Sequence, residues 1–162
     1  MGNNMLSWFR RQVGQFALGG LAMAAKAVLA PVAFGASAII VDRAGKVVLA
    51  RHSYMAGLSL PGGGVKRGEP PEQAILRELA EEIGVVRSDP PVFVGLYTRR
   101  SGWATNVIAL YRLMNAEVEF RANLEVREIF FVDPADPPPA TAAGTRRRLA
   151  EFTSQTPPSP FW

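Results

Sequence analysis

The stretch 61-PGGGVKRGEPPEQAILRELAEEIGVV-86 places three glycines ahead of an acidic segment, in a chain that is otherwise basic. Its 162 residues carry 18 Lys+Arg against 14 Asp+Glu, a formal net charge of +4. Five of those 14 acids, Glu69, Glu72, Glu78, Glu81 and Glu82, fall inside this one stretch. At about 100° per residue on a helix from Pro71 to Ile83, Ile75, Leu76, Leu79 and Ile83 share an arc of about 100°, the core-facing stripe. Glu78, Glu81 and Glu82 occupy the neighbouring arc at i, i+3 and i+4. Three like charges this close repel and raise one another's pKa. A hard divalent cation with oxygen ligands removes that cost, and such ions bridge carboxylates to substrate phosphates.

A solvated glutamate face is the plain alternative for any Glu-x-x-Glu-Glu segment. The flanking residues favour a site. Arg77 lies four residues before Glu81, where a guanidinium grips a carboxylate through two hydrogen bonds. Gly62, Gly63 and Gly64 let backbone approach a ligand unobstructed, and Gly84 is placed to end the helix. At the helix start Pro70 stands where a capping Ser or Thr is preferred, a cost of about 1 kcal/mol, partly offset by Pro71 at the first helical position.

Composition narrows the chemistry further. With no cysteine and a single histidine, His52, the chain has no disulfides, thiolate zinc sites, cysteine nucleophile or multi-histidine metal centre. A bound metal must rest on oxygen ligands, which points to Mg²⁺ or Mn²⁺. The absence of cysteine is compatible with a reducing cytoplasm, where we expect the protein. The spread of basic residues favours phosphate-bearing partners, whether nucleotide, nucleic acid or anionic lipid.

Residues 1–31 differ from the rest. The segment 5-MLSWFRRQVGQFALGGLAMAAKAVLA-30 is apolar, with Met5, Phe9, Val13 and Phe16 at helical spacing. Lys26 and Pro31 cut its uncharged run below the roughly 18 residues of a transmembrane span. A signal peptide is the second reading. The favoured one is an amphipathic helix, packed on the domain, on a second subunit of a homodimer, or on a membrane surface. Leu6 stands where a myristoylation signal wants Ser or Thr, so no such anchor is expected.

Beyond Pro31, residues 32–41 and 47–54 read as strands joined in a hairpin by 42-DRAGK-46. Further strands are expected at 92–99, 106–114 and 128–132, with a short helix around 141–152. The domain is thus expected over 32–152 and a flexible tail over 153–162. Strands on both sides of a central helix indicate an α+β fold, or an α/β/α sandwich.

Gly63, five residues, Glu69, seven residues, then Arg77-Glu78-Leu79-x-Glu81-Glu82-x-Gly84-Val85 resembles the Nudix box at each of its defined positions. The flanking strands extend the resemblance over roughly residues 32–150. It implies the Nudix fold, with a mixed central β-sheet, and hydrolysis of a diphosphate joining a nucleoside to another group. By the same resemblance Glu78, Glu81, Glu82 and the Gly63 carbonyl would hold Mg²⁺ or Mn²⁺, oriented by Arg77 and Glu69. Family members take the catalytic base from the box or from a later loop. Here 122-ANLEVREIFF-131 resembles the downstream Glu-x-x-Glu segment, which makes Glu125 the first candidate and Glu128 the second, beside Glu81 in the box.

For substrate contacts the expectations are Arg51 and Tyr54 around His52, and Arg99 with Trp103, an aromatic able to stack on a base. His52 itself reads more simply as a strand-end histidine without catalytic work. Substrates of the ADP-ribose, nucleotide-sugar and nucleoside-triphosphate types all remain open. An RNA 5′ end is a second reading, prompted by the basic balance, and a non-catalytic nucleotide sensor a third.

Overall fold

In the run 36-ASAIIV-41 neighbouring apolar side chains point to opposite faces of a strand, so a strand buried on both faces needs a layer on each side. The computed structural model of the protein provides those layers and describes Val28 and residues 31–162. The helix expected over 5–30, with its proposed subunit or membrane contacts, lies otherwise outside the described residues. The elements run β1 (Val32–Ile40), β2 (Val47–His52), β3 (Gly62–Gly64), α1 (Pro71–Ile83), β4 (Val85–Arg87), β5 (Val92–Ser101), β6 (Ala104–Leu113), β7 (Glu117–Val118), β8 (Val126–Val132) and α2 (Ala143–Phe152).

The main sheet has the order β3-β1-β6-β5, with β1 and β6 parallel and the other pairs antiparallel. Two-stranded sheets β2-β8 and β4-β7 flank it. Ala36, Ala38 and Ile40 pack with Val48, Ala50 and the α1 residues Ile75, Leu79 and Ile83. Ile39 and Val41 pack with Val47, Leu49, Tyr97 and Leu149 of α2 on the other side. Each buried Ile or Leu contributes about 1.5–3 kcal/mol. The architecture is therefore the expected α/β/α sandwich with a mixed sheet.

Several expectations change. The 42–46 turn forms, its Asp42 Oδ1 accepting from the Ala44 and Lys46 amides at 2.8 Å each. No hairpin ladder grows from it, because β1 already has β3 and β6 on its edges while β2 pairs with β8. Leu76 lies outside the buried stripe of α1 and is exposed, whereas Glu82 is buried within it. Gly62–Gly64, read as a loop, is an edge strand.

The segment 153–162, expected to be flexible, is seated on the domain. The Thr98 amide donates to Pro160 O and the Trp162 amide to Thr98 O, both at 2.9 Å, so the tail covers the open edge of β5. Arg148, wholly buried, holds it there. Its guanidinium donates to Phe161 O at 3.0 Å and to Glu151 at 2.5 Å, and lies 4.0 Å from the centre of the Tyr97 ring.

Candidate active site

The carboxylates of the opening stretch are brought together by α1 and braced by one arginine. Arg77 grips Glu69 with both forks, Nε to Oε1 at 2.8 Å and Nη2 to Oε2 at 2.9 Å. Its remaining nitrogen donates to Glu78 at 2.6 Å and to Glu81 at 3.4 Å, and Nη2 also reaches Gly64 O at 3.2 Å. The bidentate partner is thus Glu69, not Glu81. These bonds, with the Lys66 amide on Oε2, hold the Glu69 carboxyl down at about 2.

Glu82 has the opposite environment. Its carboxylate is buried, accepts from the Gly62 amide at 3.0 Å, and faces the charges of Glu78, Glu125 and Glu81. Burial first, then those neighbouring charges, push its pKa up to about 7. Glu78, Glu81, Glu82 and Glu125 line one open basin of about 460 Å³, joined by Lys66 and Arg77. Glycine is required where the basin meets β3. A Cβ on Gly63 would lie 2.4 Å from the Glu78 carboxyl, and one on Gly62 would lie 2.2 Å from Ala36 O.

Among the described residues no three acidic or histidine side chains yet converge closely enough to hold an ion. The reason is visible in the hydrogen bonds. Arg77 draws Glu78 and Glu81 to one side, while the Gly62 amide draws Glu82 to the other. In kind the donors fit a hard cation: oxygen atoms only, on a shared basin, with one carboxyl whose charge its surroundings oppose.

Glu125 reaches the basin through a residue the sequence reading passed over. Asn123 Oδ1 accepts from the Glu125 and Val126 amides at 3.0 and 2.8 Å, and its Nδ2 donates to Glu82 O at 2.9 Å. This Asx turn ties the loop to the end of α1. The only sequence signal for it is an asparagine two residues before the glutamate. Glu128, the second base candidate, is absent from the basin. It points across the β2-β8 ladder and pairs with Arg51 at 3.3 Å.

A second cavity, of about 400 Å³, opens on the other side of β3. Gly62–Gly64 form part of its wall, along with Phe34, His52, Tyr54, Arg99 and Trp162. Of the expected substrate contacts, Tyr54 and Arg99 are here. Arg51 is not, because Glu128 and the Phe130 ring hold its guanidinium elsewhere. Trp103 is not either: it lies three-quarters exposed at the tip of the β5-β6 hairpin, and neither cavity includes it.

His52, read as a strand-end residue, is buried between the two compartments. Its Nδ1 has no hydrogen-bond partner and stands 4.0 Å from Glu82 Oε1. Burial holds the imidazole below its usual pKa, against the pull of the Glu125 charge.

An α/β/α sandwich with an arginine-braced carboxylate basin behind a glycine strand defines the class. Within that class the chain belongs to the NUDIX family of hydrolases, whose domain model matches residues 32–152. It is 34% identical over 127 residues to an 8-oxo-dGTP diphosphatase of Haemophilus influenzae, covering 72% of this chain and 90% of that protein. To an RNA pyrophosphohydrolase of Hydrogenovibrio crunogenus it is 39% identical over 67 residues, 41% of this chain and 38% of the relative. The chain thus spans well under half the length of the RNA pyrophosphohydrolases it matches. Among solved structures, the MutT protein of Methanosarcina mazei superposes with a TM-score of 0.64 at 20% identity, over 76% of this chain and 94% of the other. That likeness shows the fold.

Proposed function

We propose that the protein is a metal-dependent hydrolase that cleaves the pyrophosphate linkage of a small nucleoside di- or triphosphate derivative. One observation carries the reading: a carboxylate basin and a cavity large enough for a nucleoside meet at a single glycine strand. A nucleotide laid across β3 would put its phosphates over the acids and its nucleoside in the cavity.

Glu78, Glu81, Glu82 and the Gly63 carbonyl would hold Mg²⁺ or Mn²⁺, which when bound offsets phosphate charge and lowers the pKa of the attacking water. Glu69 and Arg77 orient the carboxylates, and Lys66 faces the phosphates from the basin's rim. Glu125, at the basin and fixed by Asn123, accepts the proton of the water. Glu81 is the competing base, and the two are separated by comparing Glu125→Gln with Glu81→Gln at saturating metal.

The relative acting on 8-oxo-dGTP supports a nucleoside triphosphate as substrate, with ADP-ribose and nucleotide sugars sharing the same linkage. A triphosphorylated RNA 5′ end is the second reading, favoured by the RNA pyrophosphohydrolases among the relatives and by the +4 charge. The test is phosphate release, after a coupled phosphatase, from a panel of these compounds with Mg²⁺ or Mn²⁺. Metal-dependent turnover that Glu82→Gln abolishes is expected. Turnover of RNA ends alone would replace the small-molecule reading. A folded, metal-loaded protein silent on the whole panel would leave a binding role.

A further inference from the structure

The cavity behind β3 is closed by a residue from the end of the described chain. Trp162 joins Gly144 and Thr145 of α2, Phe34, Ile108 and Arg99 in its lining. The indole rests on Gly144, where a Cβ would come within 2.5 Å of the ring, so the helix offers it a bare seat. Its position is braced from behind. The ring meets Tyr97 edge-on at 6.0 Å between centroids, and the buried Arg148 guanidinium is 5.8 Å from its centre. The amide bond to Thr98 O holds the backbone in register with β5.

The same cavity contains polar atoms with nothing to bind. His52 Nδ1 and Ser59 Oγ are buried without hydrogen-bond partners, and both residues are in the lining. Buried polar atoms left unpaired cost about 1–3 kcal/mol each. Ser59 lies on the Trp162 side of the cavity. Its neighbour Leu60 donates its amide to Thr145 Oγ1 at 3.2 Å, one residue from the Gly144 seat. The lining therefore presents an aromatic wall and unpaired polar atoms together. A flat heterocycle with donors and acceptors on its rim satisfies both.

We infer that Trp162 is a specificity-determining residue: its indole forms the aromatic wall of a nucleobase subsite, with Ser59 and His52 meeting the polar edge of the base or its sugar. The inference deepens the nucleotide reading above and rests on it. Arg148 is a positioning residue in this scheme, acting only through Trp162.

The test compares wild type, Trp162→Ala and Trp162→Phe on the full chain. Base–aromatic stacking predicts that Trp162→Ala raises KM for the preferred nucleotide about 10-fold, with kcat changed little, and that Trp162→Phe restores most of the loss. A second arm needs no metal and no turnover. A nucleoside monophosphate titrated into metal-free protein should change the tryptophan emission of wild type and leave that of Trp162→Phe unchanged. Turnover with an unaltered KM in Trp162→Ala, or an emission change that persists in Trp162→Phe, overturns the subsite while the hydrolase reading stands. Trp162-dependent binding without turnover of any substrate supports the subsite while the hydrolase reading falls. A drop in kcat and thermal stability with KM unchanged would make Trp162 a structural cap and overturn the inference.

Discussion

Arg77 and Arg148 do similar work in opposite surroundings. Each gathers partners with all the reach of a guanidinium, and each fixes a segment that would otherwise be loose. Arg77 stands at a partly open rim and holds Glu69, Glu78 and Glu81, more carboxylate than one guanidinium neutralises. Arg148 is wholly buried and is matched by one carboxylate, Glu151, two aromatic rings and two backbone carbonyls. The first cluster is left with excess negative charge next to a buried acid, an arrangement that calls for a cation. The second is close to balanced, with only Nε left unpaired, and its product is a fixed wall. An arginine with too many acids makes a site; an arginine with enough makes a scaffold.

Breaking the first cluster at its centre should have the largest effect. Glu82→Gln removes a buried carboxylate from the proposed metal set and is expected to lower turnover about 1000-fold. Thermal unfolding should show the variant fully folded, since an amide is the cheaper group to bury at that position.

The second cluster answers in stability. Arg148→Met leaves Glu151 without its partner, and stranding one half of a buried pair costs about 3–5 kcal/mol. For a domain of this size that corresponds to a melting temperature about 10 °C lower. Arg148→Met combined with Glu151→Leu should recover part of the loss. If calorimetry finds the double variant no better than the single one, the ion pair is not what secures the tail.

Arg77→Lys sharpens the contrast from the other side. A lysine keeps the charge but loses the double contact with Glu69, so activity should fall about 10–100-fold, as for other outer partners of metal ligands. The melting temperature should barely move, because the network is partly solvated. A loss of stability comparable to that of Arg148→Met would erase the distinction between the two clusters.

The smallest effect is a pH dependence. Glu82 has a folded pKa of about 7, above the ordinary carboxylate value, so between about pH 4.5 and 7 the folded state binds more protons than the unfolded one. Metal-free stability should therefore decline as pH rises through that window. Saturating Mg²⁺ should flatten the decline, and Glu82→Gln should remove the Glu82 contribution altogether. Denaturant titrations at several pH values, with and without metal, measure it.

Much of the acidic cluster was legible because its determinants are local. Glu78, Glu81 and Glu82 share one side of a helix by spacing alone, and Gly84 ends that helix in the left-handed conformation expected of it. Other assignments failed where a partner from far along the chain decided. Leu76 has helical spacing suited to the core, but no layer covers it. The 42–46 turn has the right chemistry for a hairpin, yet competing strands separate its arms. Arg51 looked like a pocket residue until Glu128, on another strand, claimed it. Trp103 and Trp162 show the same limit in reverse. The tryptophan in a turn is exposed at a tip, and the one in a proline-rich tail forms a wall.

The sequence by itself determined the two-faced apolar strands, the carboxylate face of α1, the glycines before it and the oxygen-only character of any metal site. These follow from side-chain periodicity and residue chemistry over a few turns of chain. Only the tertiary structure decided that His52 lies buried beside Glu82, that Asn123 delivers Glu125 to the basin, and that the tail closes the second cavity. Each of those depends on a contact between residues some 30 to 70 positions apart, and such contacts are chosen by competition for buried surface and unpaired polar groups, which no local pattern records.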